Sequence, residues 1–138
     1  MDHYKFHKER LRSSGLRPTK QRLAICKILF DRKDTFHFTI EELKRITEKD
    51  GSKKISLATL YNTVHAFKNK GYLKEISLKE NKTFFDTNTK KHHHFYDENV
   101  SQLVDIDEKN VSINYLPRAP RGKKIKSIEV LVKIEDTN

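Results

Sequence analysis

The chain of 138 residues has one cysteine, one methionine, three prolines, four glycines and no tryptophan. A lone Cys26 excludes an intramolecular disulfide and any zinc site built on a cysteine pair. Its setting in LAICKILF marks a buried thiol. Long hydrophobic runs are missing too. The longest charge-free apolar-rich stretch, residues 55–67, is interrupted by Ser, Thr and Asn. It falls well short of the roughly 20 residues a membrane span needs, so no membrane partner is expected. The opening MDHYKFHKERLRSS has no apolar h-region, so no secretory signal is expected and the expected location is the cytoplasm. Acidic residues are in the minority, 19 Asp plus Glu against 29 Lys plus Arg, for a formal net charge of +10. That surplus favours a polyanionic partner. With 35% hydrophobic and 35% charged residues, the chain is globular but surface-heavy. It is long enough for one domain or two small ones, though not for two independently robust cores.

What is present is organised around residues 55–73, ISLATLYNTVHAFKNKGYL. On a helical wheel begun at Ser56, the residues Leu57, Leu60, Tyr61, Val64 and Phe67 share one face at the spacing of a buried helix. The opposite arc carries Ala58, Thr59, Asn62, Ala66 and Asn69, with Lys53, Lys54, Lys68, Lys70 and Lys74 at its two ends. A solvated face would normally carry Glu and Lys, so a small, neutral arc flanked by lysines suits a helix that enters a DNA groove. An ordinary core helix fits the wheel equally well, and the rest of the chain has to decide.

Residues 4–12 read as a short basic helix stopped by Ser13, Ser14 and Gly15. Pro18 and Thr19 open a second helix whose apolar stripe is Leu23, Cys26, Leu29 and Phe30. Its start gathers Arg17, Lys20 and Arg22, where the helix dipole disfavours positive charge. Phosphate contact would reward them. In FTIEELKRI, Thr39 and Glu42 make a capping box and Phe38 and Leu43 a hydrophobic staple. Leu43 and Ile46 face the core, and Asp50-Gly51 ends the helix. Ser56 caps the fourth helix and Gly71 closes it. The period then becomes strand-like: residues 72–78 and 83–86 read as a hairpin turning through Lys79, Glu80, Asn81 and Lys82. Helices followed by a hairpin give the order of a winged helix-turn-helix over residues 1–86. In that motif the second helix enters the major groove and the hairpin lies along the backbone, which suits Lys79 and Lys82.

Residues 87–138 differ in character. Residues 92–96, 102–106 and 125–134 read as strands, the last with Ile128, Val130, Val132 and Ile134 alternating with Glu129, Leu131, Lys133 and Glu135. Residues 107–116 stand between a short helix and irregular structure, and Pro117, Pro120 and Gly122 break the chain after them. A unit of about fifty residues without a disulfide is marginal alone, so pairing with a second copy is expected.

His92, His93 and His94 carry the candidate chemistry. On a strand, His92 and His94 share one face and His93 takes the other, so the run needs outside ligands to hold one ion. Asp86, where the chain passes between the units, and His37, just before the third helix, supply them if the units fold together. His37, Asp86, His92 and His94 form a nitrogen and oxygen set fit for zinc or ferrous iron. The same histidines could instead serve as axial ligands to haem. A solvated polar run is the ordinary reading of such a trio, yet only His3, His7 and His65 lie outside the proposed set. A metal-dependent nuclease or hydrolase would also need an open coordination position and a general base. Asp97 and Glu98 are close in sequence, but nothing fixes them beside a bound water, and no enzymatic activity is expected.

The segments GLRPTKQR, HFTIEELK, ISLATLYNTVHAFKNKGYL and HHHF come in the order and spacing of the ferric uptake regulator (Fur) family, over nearly the whole chain. The resemblance implies an α+β fold, an N-terminal winged helix-turn-helix followed by a small C-terminal α/β dimerisation domain at 87–138. It also implies a homodimer on inverted-repeat, double-stranded DNA operators. By position, Tyr61 resembles the family's base-contacting tyrosine and Arg17 its minor-groove residue, while His37, Asp86, His92 and His94 resemble its regulatory metal ligands. Ser56, Thr59 and Asn62 would share the groove with Tyr61, and Lys20, Arg22, Lys68 and Lys82 would lie on phosphates. The two CxxC pairs that many members use for structural zinc are missing here, so no structural cysteine-zinc site is expected. No histidine follows His94, which leaves the second family metal site without a ligand. HHHFYDENVSQLVDI, PRAPRG and IEVLVKI look most like the iron response regulator (Irr) branch, which implies a regulator of iron and haem homeostasis that senses haem. Haem would then bind at His92, His93 and His94 and, by changing the angle between the two domains, release DNA.

Overall fold

Three side-chain caps set where the helices of the first unit begin. Thr19 Oγ1 accepts from the Arg22 amide at 3.2 Å, Thr39 Oγ1 from Glu42 at 3.1 Å, and Ser56 Oγ from Thr59 at 3.1 Å. Each satisfies an amide that the first helical turn leaves unpaired. The computed structural model describes residues 3–50, 54–78 and 82–138. It contains α1 (His3–Ser13), α2 (Lys20–Phe30), α3 (Ile40–Lys49) and α4 (Leu57–Lys70). The strands are β1 (His37–Phe38), β2 (Lys74–Leu78), β3 (Lys82–Asp86), β4 (His92–Asp97), β5 (Gln102–Asp107) and β6 (Leu131–Ile134). The expected stop at Gly51, the charge of Lys53 and the turn residues Lys79, Glu80 and Asn81 lie outside the described residues. No helix among the described residues is long and apolar enough to cross a membrane.

Two compact units result, Met1–Thr89 and Lys90–Asn138. The boundary falls three residues beyond the expected 86. The cause is local: the Thr87 amide donates to the Phe36 carbonyl at 3.0 Å and the Asn88 amide to Asp86 Oδ1 at 2.8 Å, so these residues stay with the first unit.

In the first unit, Leu11, Ile25, Leu29, Phe38, Leu43, Ile55, Leu60, Val64 and Phe67 close one core. β1 is a strand of two residues that the sequence pattern did not announce, and it makes a three-stranded wing of order β1-β3-β2. α4 ends on Gly71, whose φ of +92° is the left-handed conformation that glycine adopts without steric cost. Two expectations for α4 need correction. Leu57 is 48% exposed and Tyr61 39% exposed, while the buried positions are Leu60, Thr63, Val64 and Phe67. The buried stripe is therefore narrower than the wheel suggested, and Leu57 and Tyr61 join the outer face. In α2 the buried stripe is Ile25, Cys26 and Leu29, with Leu23 and Phe30 half-buried. In α3 it is Ile40, Leu43 and Thr47, with Ile46 half-buried.

Cys26 lies in this core, and burial pushes its thiol up to about 12. Because the thiolate is the reactive form, iodoacetamide at pH 8 is expected to leave Cys26 unmodified in the native protein and to alkylate it in urea. Native-state alkylation read by mass spectrometry at the unfolded rate would contradict this burial. Ser56→Ala removes the α4 cap and is expected to lower stability by about 1 kcal/mol in a urea titration. No change would mean that the cap adds nothing.

The second unit is a three-stranded sheet of order β5-β4-β6. β4 pairs antiparallel with β5 and parallel with β6. A parallel pair needs a long crossover. The connection from β4 to β6, residues 98–130, contains β5 and one 3₁₀ turn at Glu108–Asn110. The last strand is four residues long, shorter than the expected 125–134: its register with β4 runs from Leu131 to Ile134, and before it only the Val130 carbonyl accepts, from the His94 amide at 3.1 Å. Leu103 and Ile106 are buried apolar residues here, while Val104, Leu131 and Val132 are exposed and Tyr115 is 82% exposed.

Candidate nucleic-acid interface and metal centre

Two helix N-termini meet on one side of the first unit. Gln21 Nε2 donates to the Lys54 carbonyl at 3.3 Å, joining the start of α2 to the segment that leads into α4. Thr19, Lys20, Arg22 and Thr59 line a shared groove of about 370 Å³. Arg22 Nη1 donates to the Arg17 carbonyl at 3.0 Å, which keeps Arg17 beside this edge. Neither helix has an acidic residue in its first turn. Partial positive charge from both dipoles therefore adds to the side-chain charge, an arrangement suited to phosphate. The structure thus gathers Arg17, Lys20, Arg22, Ser56 and Thr59. Tyr61 and Asn62 stand exposed on the next turn of α4. The Tyr61 ring stacks on His65 at 5.8 Å and 10°, and His65 meets Phe85 edge-on at 5.8 Å, so the exposed tyrosine has a rigid backing. Lys68 stands apart from this group, at the far end of α4 and 3.5 Å from Glu75 on β2. Lys82 opens β3 in the wing.

Histidine chemistry divides between the units, and each half has its own geometry. In the first, the β1 and β3 register sets His37 opposite Asp86, with Nε2 3.1 Å from Oδ2. Asp86 is fully buried, a setting in which a carboxylate is costly unless it is paired. In the second, His92 and His94 share one face of β4, their ring centroids 4.4 Å apart. Both Nε2 atoms lie 3.3 Å from Asp105 Oδ1. His92 Nδ1 contacts the Lys90 carbonyl, which can only accept, so Nδ1 carries the proton. The Nε2 atom then faces a carboxylate oxygen, a contact that a shared proton or a bound metal ion can bridge. A metal-ligating histidine also has its remote N–H held by a carbonyl. The ligand atoms of His92, His94 and Asp105 lie within 4.8 Å of one another. Nitrogen and oxygen donors without sulfur fit zinc, ferrous iron or manganese.

His93 lies apart from this pair. Its Nδ1 accepts from the Val130 amide at 2.9 Å on the approach to β6, which ties the ring to the other face of the sheet. Asp97 takes the same side of β4 as His93 by alternation, and its Oδ1 accepts from the Asn99 amide at 3.0 Å. Glu98 pairs with Lys133 at 3.8 Å. Neither carboxylate is placed as a base beside His92 and His94. Asp105 is the residue that sequence reasoning missed. The available signal was a carboxylate inside the strand pattern QLVDID, but its place opposite His94 follows from the strand register.

A model of the ferric uptake regulator family matches residues 13–133. The peroxide-responsive repressor PerR of Staphylococcus aureus is 36% identical over 96 residues, covering 70% of this chain and 63% of that protein. The chain thus spans less than two thirds of the length of the curated relatives it matches. Among solved structures, the Vibrio cholerae ferric uptake regulator aligns with a TM-score of 0.71 at 19% identity, covering 94% of this chain and 98% of that one. The ferric uptake regulator from Pseudomonas aeruginosa with manganese gives 0.67 at 15% identity, covering 96% and 98%. A zinc-bound manganese uptake regulator gives 0.66 at 23%, covering 94% and 98%. At these identities the structures share the fold.

Proposed function

The chain belongs to the ferric uptake regulator family, and on that premise we propose that it is a DNA-binding transcriptional regulator, acting as a homodimer and controlled by a divalent metal ion. Family members are regulators of transcription rather than enzymes. The expected α+β fold, a helical N-terminal unit with a β wing followed by a smaller C-terminal unit, is the fold found. α4 enters the major groove with Ser56, Thr59, Tyr61 and Asn62, Arg17 reaches the minor groove, and Lys20, Arg22 and Lys82 neutralise phosphates, with Lys68 joining them once released from Glu75. The apolar surface of the second unit, Val104, Leu131 and Val132, supports pairing with a second copy, because a sheet of this size buries little on its own.

His37, Asp86, His92 and His94 are the proposed ligands, with Asp105 added to them. Only five residues separate Asp86 from His92, so the backbone keeps them within about 20 Å at full extension. A divalent ion held there would supply positive charge beside the Asp86 and Asp105 carboxylates. The observation that carries this reading is the His92 ring, held by the Lys90 carbonyl and aimed at Asp105 beside His94. Haem sensing of the iron response regulator kind is the second reading, and what favours it is the His92-His93-His94 run. It asks all three imidazoles, each buried, to open toward a porphyrin. Titration of the metal-free protein separates the two. The metal reading predicts tight binding of Zn(II) or Mn(II), with one equivalent fewer bound by the His92→Ala/His94→Ala variant than by the wild type. A haem absorption band that saturates at one equivalent in the wild type and vanishes in that variant, with equal metal uptake in the two, would replace metal by haem. Hydrogen peroxide belongs in the same titration as a second stimulus, in view of the name of the PerR relatives.

A further inference from the structure

The N-terminal helix carries two histidines that neither DNA contact nor the proposed regulatory site uses. His3 and His7 are one turn apart on α1 and so share a face, the spacing by which helices present paired imidazoles to zinc. Both converge on one oxygen of Asp31: His3 Nδ1 and His7 Nε2 each lie 2.9 Å from Oδ1. Asp31 is the C-cap of α2, where the helix dipole disfavours a carboxylate. His7 is only 5% exposed, and its Nδ1 is buried without a hydrogen-bond partner. A buried ring with one nitrogen unpaired and the other sharing a carboxylate is poorly satisfied by hydrogen bonding alone. Along α1 and α2 a groove of about 420 Å³, lined by these three residues, leaves room for water beside them.

We propose that His3, His7 and Asp31 form a second metal site, of the class that binds Zn(II), Ni(II) or Cu(II) through two imidazoles and one carboxylate with an open position filled by water. Around a tetrahedral ion with bonds of about 2.0–2.2 Å, neighbouring donors stand about 3.4 Å apart. The His3 side chain is 58% exposed and free to close on His7 and Asp31 to that spacing. Lys20 and Lys27 line the same groove, and their charge disfavours weakly held Mg(II) or Ca(II) while leaving strongly imidazole-bound ions able to compete. Occupancy fastens the first turn of α1 to the end of α2, the helix whose other end presents Lys20 and Arg22.

The test uses the full chain carrying His92→Ala and His94→Ala, which silences the regulatory donors, titrated with Zn(II) by calorimetry. One equivalent is expected, with affinity falling at least tenfold on adding His3→Ala, a change at an exposed position that leaves the core intact. No uptake in the background variant, or equal affinity with and without His3, overturns the proposal. In the wild-type chain, ring ¹⁵N resonances of His3 and His7 are expected to shift together on Zn(II) addition, and unmoved resonances also overturn it. Failure of the regulatory site would look different, since wild type and background variant would then bind the same number of ions.

Discussion

Between 50 and 200 mM monovalent salt, the affinity of the dimer for a specific duplex is expected to fall about 10³-fold. Its size follows from the number of phosphates the dimer would neutralise. Lys20 and Arg22 line the groove at the start of α2 and Lys82 opens the wing strand; Lys68, 3.5 Å from Glu75, adds to the count only when that pair opens. Three contacts per chain, doubled in the dimer, give about six phosphates and a log–log slope near −5. Lys20→Ala or Arg22→Ala should make that slope shallower by about two units, one from each subunit, and weaken all sequences alike. Tyr61→Ala should instead leave the slope in place and narrow the gap between specific and mixed-sequence DNA. Anisotropy of a labelled duplex, selected by the protein from a random library, measures both quantities. A flat salt dependence would remove the phosphate assignments.

The second large effect is on regulation. The His92→Ala/His94→Ala variant should lose more than about 100-fold in affinity for the regulatory ion, since even residues that merely support ligands alter it 10–100-fold. Its DNA affinity should then no longer respond to metal. In the wild type the response is expected to be about 5–150-fold, the usual range of coupling between two sites. The direction follows from what a dimer must do on DNA. Two reading helices have to stand about one helical turn of DNA apart. An ion held by the full proposed ligand set, His37 and Asp86 included, would remove conformational freedom that DNA binding would otherwise have to remove, so metal should tighten binding. Asp105→Asn is the milder companion. It keeps the shape of the side chain but leaves the lone pair of His92 without its anionic partner, and should weaken metal binding by about 10–100-fold.

Where the sequence was informative, its signals were local. Thr19, Thr39 with Glu42, Ser56 and Gly71 mark helix ends through contacts within four residues, and each lies at the boundary it indicated. Alternation along a strand was enough to separate His92 and His94 from His93. What escaped depended on partners far away in the chain. β1 exists because His37 and Phe38 find Asp86 and Phe85. Residues 125–130 alternate like a strand, yet the pairing with β4 begins at Leu131. Asp105 became a candidate ligand only once the register set it opposite His94. Leu57 and Tyr61 looked buried on the wheel because periodicity gives a direction around the helix axis without saying whether another element covers it.

The most direct measurement of the central claim is the affinity of the wild-type chain for its selected duplex, read by anisotropy at fixed salt, first in chelator and then with Mn(II) or Zn(II). At least fivefold tighter binding with metal is predicted, reversed by excess chelator and absent in the His92→Ala/His94→Ala variant. Identical affinity in both conditions, or an equal gain in the variant, would contradict it.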